Sequence, residues 1–176
     1  LPALRLLLLL ALLSIAVVTD LRWRRIPNWL TVSGLLSGLG IAAALGVGVL
    51  LFALAGATLA FGLAVPLVAL GALGGGDAKL LAAVGTFVGP GGLLSVVLYG
   101  ALAGGALALF SAIRRRALVE LLQGSFLVFS YLITLGRRGE RLALKSPGTH
   151  SVPYGVAIAA GALASWLFPF SLGGAL

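Results

Sequence analysis

Long apolar runs alternate with short polar or glycine-rich breaks along the whole sequence. A helix needs about 17–25 apolar residues, at about 1.5 Å per residue, to cross the hydrocarbon core of a membrane. The runs therefore predict an all-α integral membrane protein, a polytopic bundle of about six transmembrane helices in one domain covering residues 1–176. The fourth run is short, and we expect it to be tilted or sheltered by its neighbours. The predicted spans are 2–19, 29–46, 49–70, 77–88, 93–113 and 152–170.

The breaks between these runs contain residues that begin or end helices. The sequence "IPN" precedes the second span, where Pro27 fixes the entry turn and Asn28 is predicted to cap the helix. A glycine-rich turn at 71–76 ends the third span, and "GPGG" separates the fourth span from the fifth. Both boundaries follow from the poor helix propensity of glycine and proline.

Residues 117–136 are the ambiguous segment. They are apolar enough to span, but polar side chains recur at helical spacing and place a polar stripe on one face. Basic clusters flank the segment on both sides, so a crossing would put one cluster on the wrong side of the membrane. We interpret it as an interfacial amphipathic helix within a cytoplasmic segment 114–150, and a seventh span is the alternative.

The composition indicates that membrane lipid surrounds most of the chain. Hydrophobic residues make up 61% of the chain and charged residues only 9%, and no soluble domain of this size can bury so much apolar surface. Lys and Arg outnumber Asp and Glu by 12 to 4, which the positive-inside rule explains better than nucleic-acid binding does. The chain has no cysteine, which excludes disulfides and thiolate metal sites. We expect membrane lipid as a partner, and no nucleic acid, metal or cofactor.

The basic residues also predict the topology. Three arginines after the first span place its end in the cytoplasm, and therefore the N-terminus outside. Counting crossings from there puts nearly every other basic residue on the cytoplasmic side, with Arg5 alone outside. The cytoplasmic set is Arg22, Arg24, Arg25, Lys79, Arg114–Arg116 and Arg137–Lys145.

Two of the four acidic residues lie at the ends of predicted spans. Asp20 ends the first span, and Asp77 begins the fourth after one complete out-and-back hairpin. Both carboxyls are therefore predicted at the same face and at about the same depth. Ionisable residues at membrane depth are costly and usually functional, although each aspartate alone is equally well explained as a helix cap. Glu120 and Glu140 are explained by surface ion pairing in the basic segment.

Two carboxyls at one depth suggest an aspartic protease dyad. Like charges close together do not both ionise, so one carboxyl holds a proton while the other acts as a base toward water. The base activates water for attack on a peptide carbonyl, and the acid protonates the oxyanion and then the leaving amine. The pair titrates as a unit, so the sequence does not assign the two roles.

The glycines before Asp77 suggest a place for the substrate. In an extended strand Gly74 and Gly76 would point to one side without a Cβ, leaving a flat edge where an unwound substrate strand could pair. A flexible glycine turn between helices is the alternative.

Three segments resemble the type IV prepilin peptidases, and more narrowly the small single-module branch that serves Flp-type (tight-adherence) pili. They are "DLRWRRIPN" after the first span, "GGGDAKLLAAVG" after the third and "VPYGVAIAAGAL" opening the last. The GxGD signature, here ending at Asp77, is shared with presenilin-like and signal-peptide-peptidase-like proteases. The preceding element, with Asp20 followed by "RIPN", favours the prepilin group.

The resemblance implies that Asp20 and Asp77 are the catalytic pair of a prepilin leader peptidase in the bacterial inner membrane. Its implied substrate is the basic leader of a type IV prepilin, cleaved at the cytoplasmic face just before the apolar helix. Lys79 follows the signature and either biases the electrostatics of the pair or snorkels to the interface. The residues expected to bind substrate or frame the site are Gly74, Gly76, Lys79, Arg25, Pro27, Asn28, Pro153, Tyr154 and Gly155.

Other functions have specific grounds for and against them. Larger prepilin peptidases also N-methylate the new terminus and have a cysteine-bearing insert that this chain lacks, so we expect peptidase activity alone. A presenilin-like intramembrane protease usually has a tyrosine beside its first aspartate, where this chain has Thr19. A small proton- or cation-coupled transporter or channel subunit would place its carboxylates nearer mid-membrane.

Overall fold

The computed structural model describes residues 2–115 and 154–168, together with positions 118, 119, 122, 123 and 126. Within these residues all regular structure is helical, and four helices have the length and composition to cross a membrane. The predicted all-α membrane class is therefore confirmed. The helices are α1 (Pro2–Trp23), α2 (Asn28–Leu45), α3 (Val47–Ala69), α4 (Gly75–Arg115) and α5 (Tyr154–Leu167).

Helix α4 is interrupted where the sequence predicts the boundary between the fourth and fifth spans. Gly89 has φ 68° and ψ −179°, which is outside the helical region, and this conformation is essentially restricted to glycine. Pro90 follows and has no N–H to donate to the preceding turn. The two residues divide α4 into a first arm, 75–88, and a second arm, 90–115.

The predicted last span and the predicted interfacial helix can be compared with the structure only in part. Helix α5 covers Tyr154–Leu167, a shorter stretch than the predicted span 152–170, whose outer positions lie outside the described residues. The predicted interfacial helix 117–136 and the basic residues 137–145 lie outside them as well, apart from the five isolated positions. Pro153 is also outside the described part of the chain.

Helix α4 is the centre of the described bundle, because it contacts each of the other four helices. Glycines permit the closest crossings. A Cβ added at Gly56 of α3 would collide with the backbone oxygen of Gly85 in α4, and one added at Gly38 of α2 would collide with Thr86. Small residues at helix crossings allow this close backbone approach in membrane proteins.

The first arm of α4 also forms the hydrophobic core with α1 and α5. Leu80 and Val84 are fully buried, and Leu13 and Ile158 join them in one cluster. Large apolar side chains meanwhile remain exposed on the outside of α1, α2, α3 and the second arm of α4. Such a surface is compatible with lipid as the surrounding solvent. The core fixes α1, α4 and α5 relative to one another directly beneath the candidate site.

Candidate active site

Four helix ends meet at one end of the bundle. Asp20 lies in the last turn of α1, Asn28 begins α2, Asp77 lies in the first turn of α4, and Gly155 lies in the first turn of α5. The three sequence segments that carry the resemblance are therefore adjacent in space. Helix N-termini present backbone N–H groups without intrahelical partners, so this end of the bundle is rich in hydrogen-bond donors.

Asp20 is buried and is held by the first turn of α5. Its side chain is 6% exposed, and its Oδ2 accepts a hydrogen bond of 2.8 Å from the backbone N–H of Gly155. A Cβ at Gly155 would lie 2.9 Å from that oxygen and 3.1 Å from the Cβ of Asp20. The close contact therefore requires glycine at position 155, which gives this sequence-predicted framing residue a definite structural role.

Asp77 makes a local hydrogen bond. Its Oδ2 accepts a bond of 3.2 Å from the backbone N–H of Gly74, the residue that precedes α4. A side chain at the third helical position that accepts from the residue before the helix is half of a capping box. Asp77 is therefore not the N-cap residue considered from the sequence, because Gly74 has that position, and the bond to Gly74 holds the carboxylate at the start of α4.

The two aspartates face the same region. The carboxylates of Asp20 and Asp77 are close enough to interact electrostatically. Tyr154, at the start of α5, lies within the same range of Asp77. The structure thus brings α1, α4 and α5 together around two acids that are 57 positions apart in the sequence.

The predicted extended edge at the glycines is absent, and this expectation was wrong for the described conformation. Gly75 and Gly76 already belong to α4, so only Gly74 precedes the helix. Gly76 lies against the loop that follows α1, since a Cβ there would be 3.3 Å from both the Cβ and the carbonyl oxygen of Ile26. The helix begins at Gly75 because the Asp77 carboxylate accepts a hydrogen bond from the N–H of Gly74. An extended strand would lose this bond.

Lys79 and Asn28 join two of the predicted site segments. The Nζ of Lys79 donates a hydrogen bond of 2.9 Å to the Oδ1 of Asn28. The prediction that Asn28 caps α2 was wrong, because Pro27 is the N-cap residue and no side chain makes a capping bond. The carbonyl of Pro27 accepts from the backbone N–H groups of Leu30 and Thr31, and the amide of Asn28 is turned toward Lys79.

Arg24 is the residue whose local role the sequence reasoning missed. It has a φ of 53° and its backbone N–H donates to the carbonyl of Asp20 at 2.9 Å, so it ends α1. Its charge also acts on the Asp20 carboxylate. The signal was the position of Arg24 four residues after Asp20, which is the spacing of a helical N–H and the carbonyl that accepts from it. Arg25 is exposed in the loop that follows.

Nothing among the described residues forms a metal site. No three His, Cys, Asp or Glu side chains lie in a group that could hold a metal ion in this part of the chain. The described residues at the site provide two carboxyl groups, backbone N–H donors and the phenol of Tyr154.

Comparison with known proteins gives one match. The family model described as the type IV leader peptidase family matches residues 7–109, which is more than half of the chain. The matched region includes Asp20, Asp77, Asn28 and Lys79. No curated protein and no solved structure matches the chain.

Proposed function

Because the chain belongs to the type IV leader peptidase family, we propose that Asp20 and Asp77 are the catalytic pair of a prepilin leader peptidase. The observation that supports this best is that these two carboxyls, from α1 and α4, lie within electrostatic range of each other. Family membership supports a membrane peptidase, and the geometry supplies the pair of acids that aspartic proteolysis requires.

In the proposed reaction the two carboxyls divide the proton transfers. One carboxylate takes a proton from water as that water attacks the scissile carbonyl, and the protonated partner donates to the developing oxyanion. The first proton then passes to the leaving amine as the C–N bond breaks, and the second carboxylate regains its proton from a hydroxyl of the collapsing intermediate. Asp20 is fixed by Gly155 and Asp77 by Gly74, so both carboxyls are oriented before the substrate binds, which lowers the entropic cost of the reaction.

The proposed substrate is a type IV prepilin of the Flp-like kind. Its leader is basic, and cleavage would occur at the cytoplasmic face just before the apolar helix of the pilin. The sequence segments of the small Flp-type branch and the absence of cysteine support this narrower assignment, and they support a peptidase without N-methyltransferase activity.

The proposed arrangement in the bacterial inner membrane has six spans with the N-terminus outside. Helices α1, α2 and α3, the two arms of α4 and the region of α5 would be the spans. Two observations support it. Gly89 interrupts α4 near its middle, and Arg5 lies fifteen residues before Asp20 on α1, or about 22 Å along the axis at the helical rise. Arg5 would then lie near the outer face when Asp20 is near the cytoplasmic face.

Leader removal in cells tests the proposal. We would co-express the chain with a Flp-type prepilin and compare wild type with Asp20→Asn and Asp77→Asn by the gel mobility of the pilin. Both variants are expected to accumulate the uncleaved prepilin. Glu140→Gln, the same acid-to-amide change in the basic segment, is the matched control and is expected to process normally. Normal processing by both aspartate variants would overturn the assignment of the pair.

A further inference from the structure

The side chain of Lys79 connects the segment of one proposed catalytic residue to that of the other. Its Nζ donates to the Oδ1 of Asn28 at 2.9 Å, across 51 positions of sequence. An ammonium group only donates, so the amide oxygen is the correct acceptor for it. Asn28 is the first residue of α2, while Lys79 is two residues beyond Asp77 on α4.

A second contact lies beside this hydrogen bond. Gly76 faces Ile26, and a Cβ at Gly76 would be 3.3 Å from the backbone oxygen of Ile26. The loop containing Ile26 continues directly from α1, where the N–H of Arg24 donates to the carbonyl of Asp20. The loop between α1 and α2 is therefore bonded to α1 at its first residue and contacts the start of α4 at Ile26.

The direction of the Lys79 side chain separates it from the reacting groups. Residues two apart on a helix do not share a face, so Lys79 points away from the side of α4 on which Asp77 lies, and reaches α2 instead. Its bond with Asn28 is exposed to solvent, and exposed polar contacts contribute little to the stability of a fold. The bond is therefore better suited to fixing a position than to holding the protein folded.

We propose that Lys79 and Asn28 are positioning residues, which fix the first turns of α4 against the start of α2 and thereby set the separation of Asp77 from Asp20. The assignment rests on the catalytic pair proposed above. It differs from a direct effect of the lysine charge on the pair, because the role depends on the bond to Asn28, and Asn28→Leu breaks that bond while the charge stays.

Cleavage kinetics give the first test. Lys79→Met removes the donor at similar side-chain length, and Asn28→Leu removes the acceptor at similar volume. Each is expected to lower kcat for leader cleavage by about two- to fivefold, the most by which the loss of one exposed polar contact shifts a positional equilibrium, with little change in KM. Asn28→Asp keeps an acceptor for the ammonium and is expected to retain a higher kcat than Asn28→Leu. Ser37→Ala, which removes a bond within α2 from Ser37 Oγ to the carbonyl of Gly34, is the matched control.

Thiol cross-linking gives the second test, because the chain has no cysteine of its own. Asp20→Cys and Asp77→Cys are combined, and the pair is treated with bifunctional thiol reagents of graded length. Adding Lys79→Met or Asn28→Leu is expected to lower the yield of the cross-link by the shortest reagent and to leave the yields with the longer reagents unchanged. Adding Ser37→Ala is expected to change nothing, and Asn28→Asp is expected to keep more of the short cross-link than Asn28→Leu does. This readout needs no activity, so it remains informative if the two acids are not catalytic.

Two results would overturn the proposal. One is wild-type kcat in both Lys79→Met and Asn28→Leu. The other is a lower kcat with the short cross-link intact, which would show that Lys79 acts on the leader or on the chemistry directly. If Lys79→Met does not elute as a folded species, Asn28→Leu removes the same hydrogen bond by deleting the acceptor and gives the result. The converse holds if Asn28→Leu does not fold. Active Asp20→Asn and Asp77→Asn variants would contradict the catalytic pair alone, while the cross-linking would still report on the positioning.

Discussion

Among single residues, Gly155 has the most direct effect on the geometry of the candidate site. Its N–H donates to Asp20, and the space for a Cβ is already occupied by the Asp20 carboxylate. The same position thus supplies a donor and requires a residue without a side chain. A backbone donor also remains at its place when neighbouring side chains change rotamer, which suits a group that orients the proposed catalytic carboxyl of Asp20.

We predict that Gly155→Ala lowers leader cleavage by about 10- to 100-fold, because the new methyl displaces the carboxylate of Asp20. The measurement is the cleavage rate of the purified variant with a prepilin substrate. Gly62→Ala is the control, since a Cβ there meets nothing within 4 Å. Equal rates for Gly155→Ala and Gly62→Ala would show that the contact with Asp20 is not needed.

Neighbouring glycines before Asp77 provide a second comparison. A Cβ at Gly76 would press on Ile26 at 3.3 Å, whereas one at Gly75 meets nothing within 4 Å. We expect Gly76→Ala to reduce the cleavage rate, within about tenfold because the loop can yield by a few tenths of an ångström. We expect Gly75→Ala to cleave as the wild type does. A larger loss in Gly75→Ala than in Gly76→Ala would contradict the contact between α4 and the loop.

At the scale of helices, the break in α4 has a local cause that one substitution can test. Gly89 has φ 68° and ψ −179°, and a Cβ there would collide with the ring of Phe52 in α3. A residue with a side chain in that conformation costs about 1–3 kcal/mol, before any movement of the ring. The break therefore depends on glycine at this position as well as on Pro90.

We predict that Gly89→Ala lowers the thermal unfolding temperature in detergent, by an amount that corresponds to about 1–3 kcal/mol. Gly91→Ala is the matched control, two residues away, because a Cβ there meets nothing within 4 Å. Unfolding curves of the two variants measured side by side decide the point. If Gly89→Ala unfolds at the same temperature as Gly91→Ala or at a higher one, the break does not require glycine at position 89.

Hydrophobic patterning predicted the helices well because membrane helices need long apolar runs whatever their neighbours are. The break at "GPGG" was predictable for the same local reason, since glycine and proline interrupt a helix through their own backbones. The start of α4 was predicted less well. The helix begins at Gly75, before Asp77, because the Asp77 side chain bonds back to the N–H of Gly74.

Contacts between segments that are distant in the sequence could not be predicted from the sequence. Asn28 was expected to cap α2, and its partner is instead Lys79, which lies 51 positions away. A single sequence does not show which residues a folded chain brings together. By contrast, the nearness of Asp20 and Asp77 followed from counting spans between them, because two spans return the chain to the same side of the membrane.

For the whole molecule, the proposed topology makes opposite predictions for the two ends of α2. Trp23, just before α2, and Val47, just after it, are both exposed, and the chain has no cysteine to interfere with labelling. In intact cells, a membrane-impermeant thiol reagent is expected to label Val47→Cys directly, and Trp23→Cys only after permeabilisation. The reverse pattern would place the two aspartates at the outer face and contradict the proposed site of leader removal.

The account depends most on Asp20 and Asp77 acting as one catalytic unit. The most direct measurement is single-turnover cleavage of a prepilin by the purified, folded Asp20→Asn, Asp77→Asn and double variants beside wild type. Residues that act as a unit give strongly non-additive losses, so each single variant is expected to lose as much activity as the double variant. Substantial cleavage by either single variant, or losses that add in the double variant, would contradict the account.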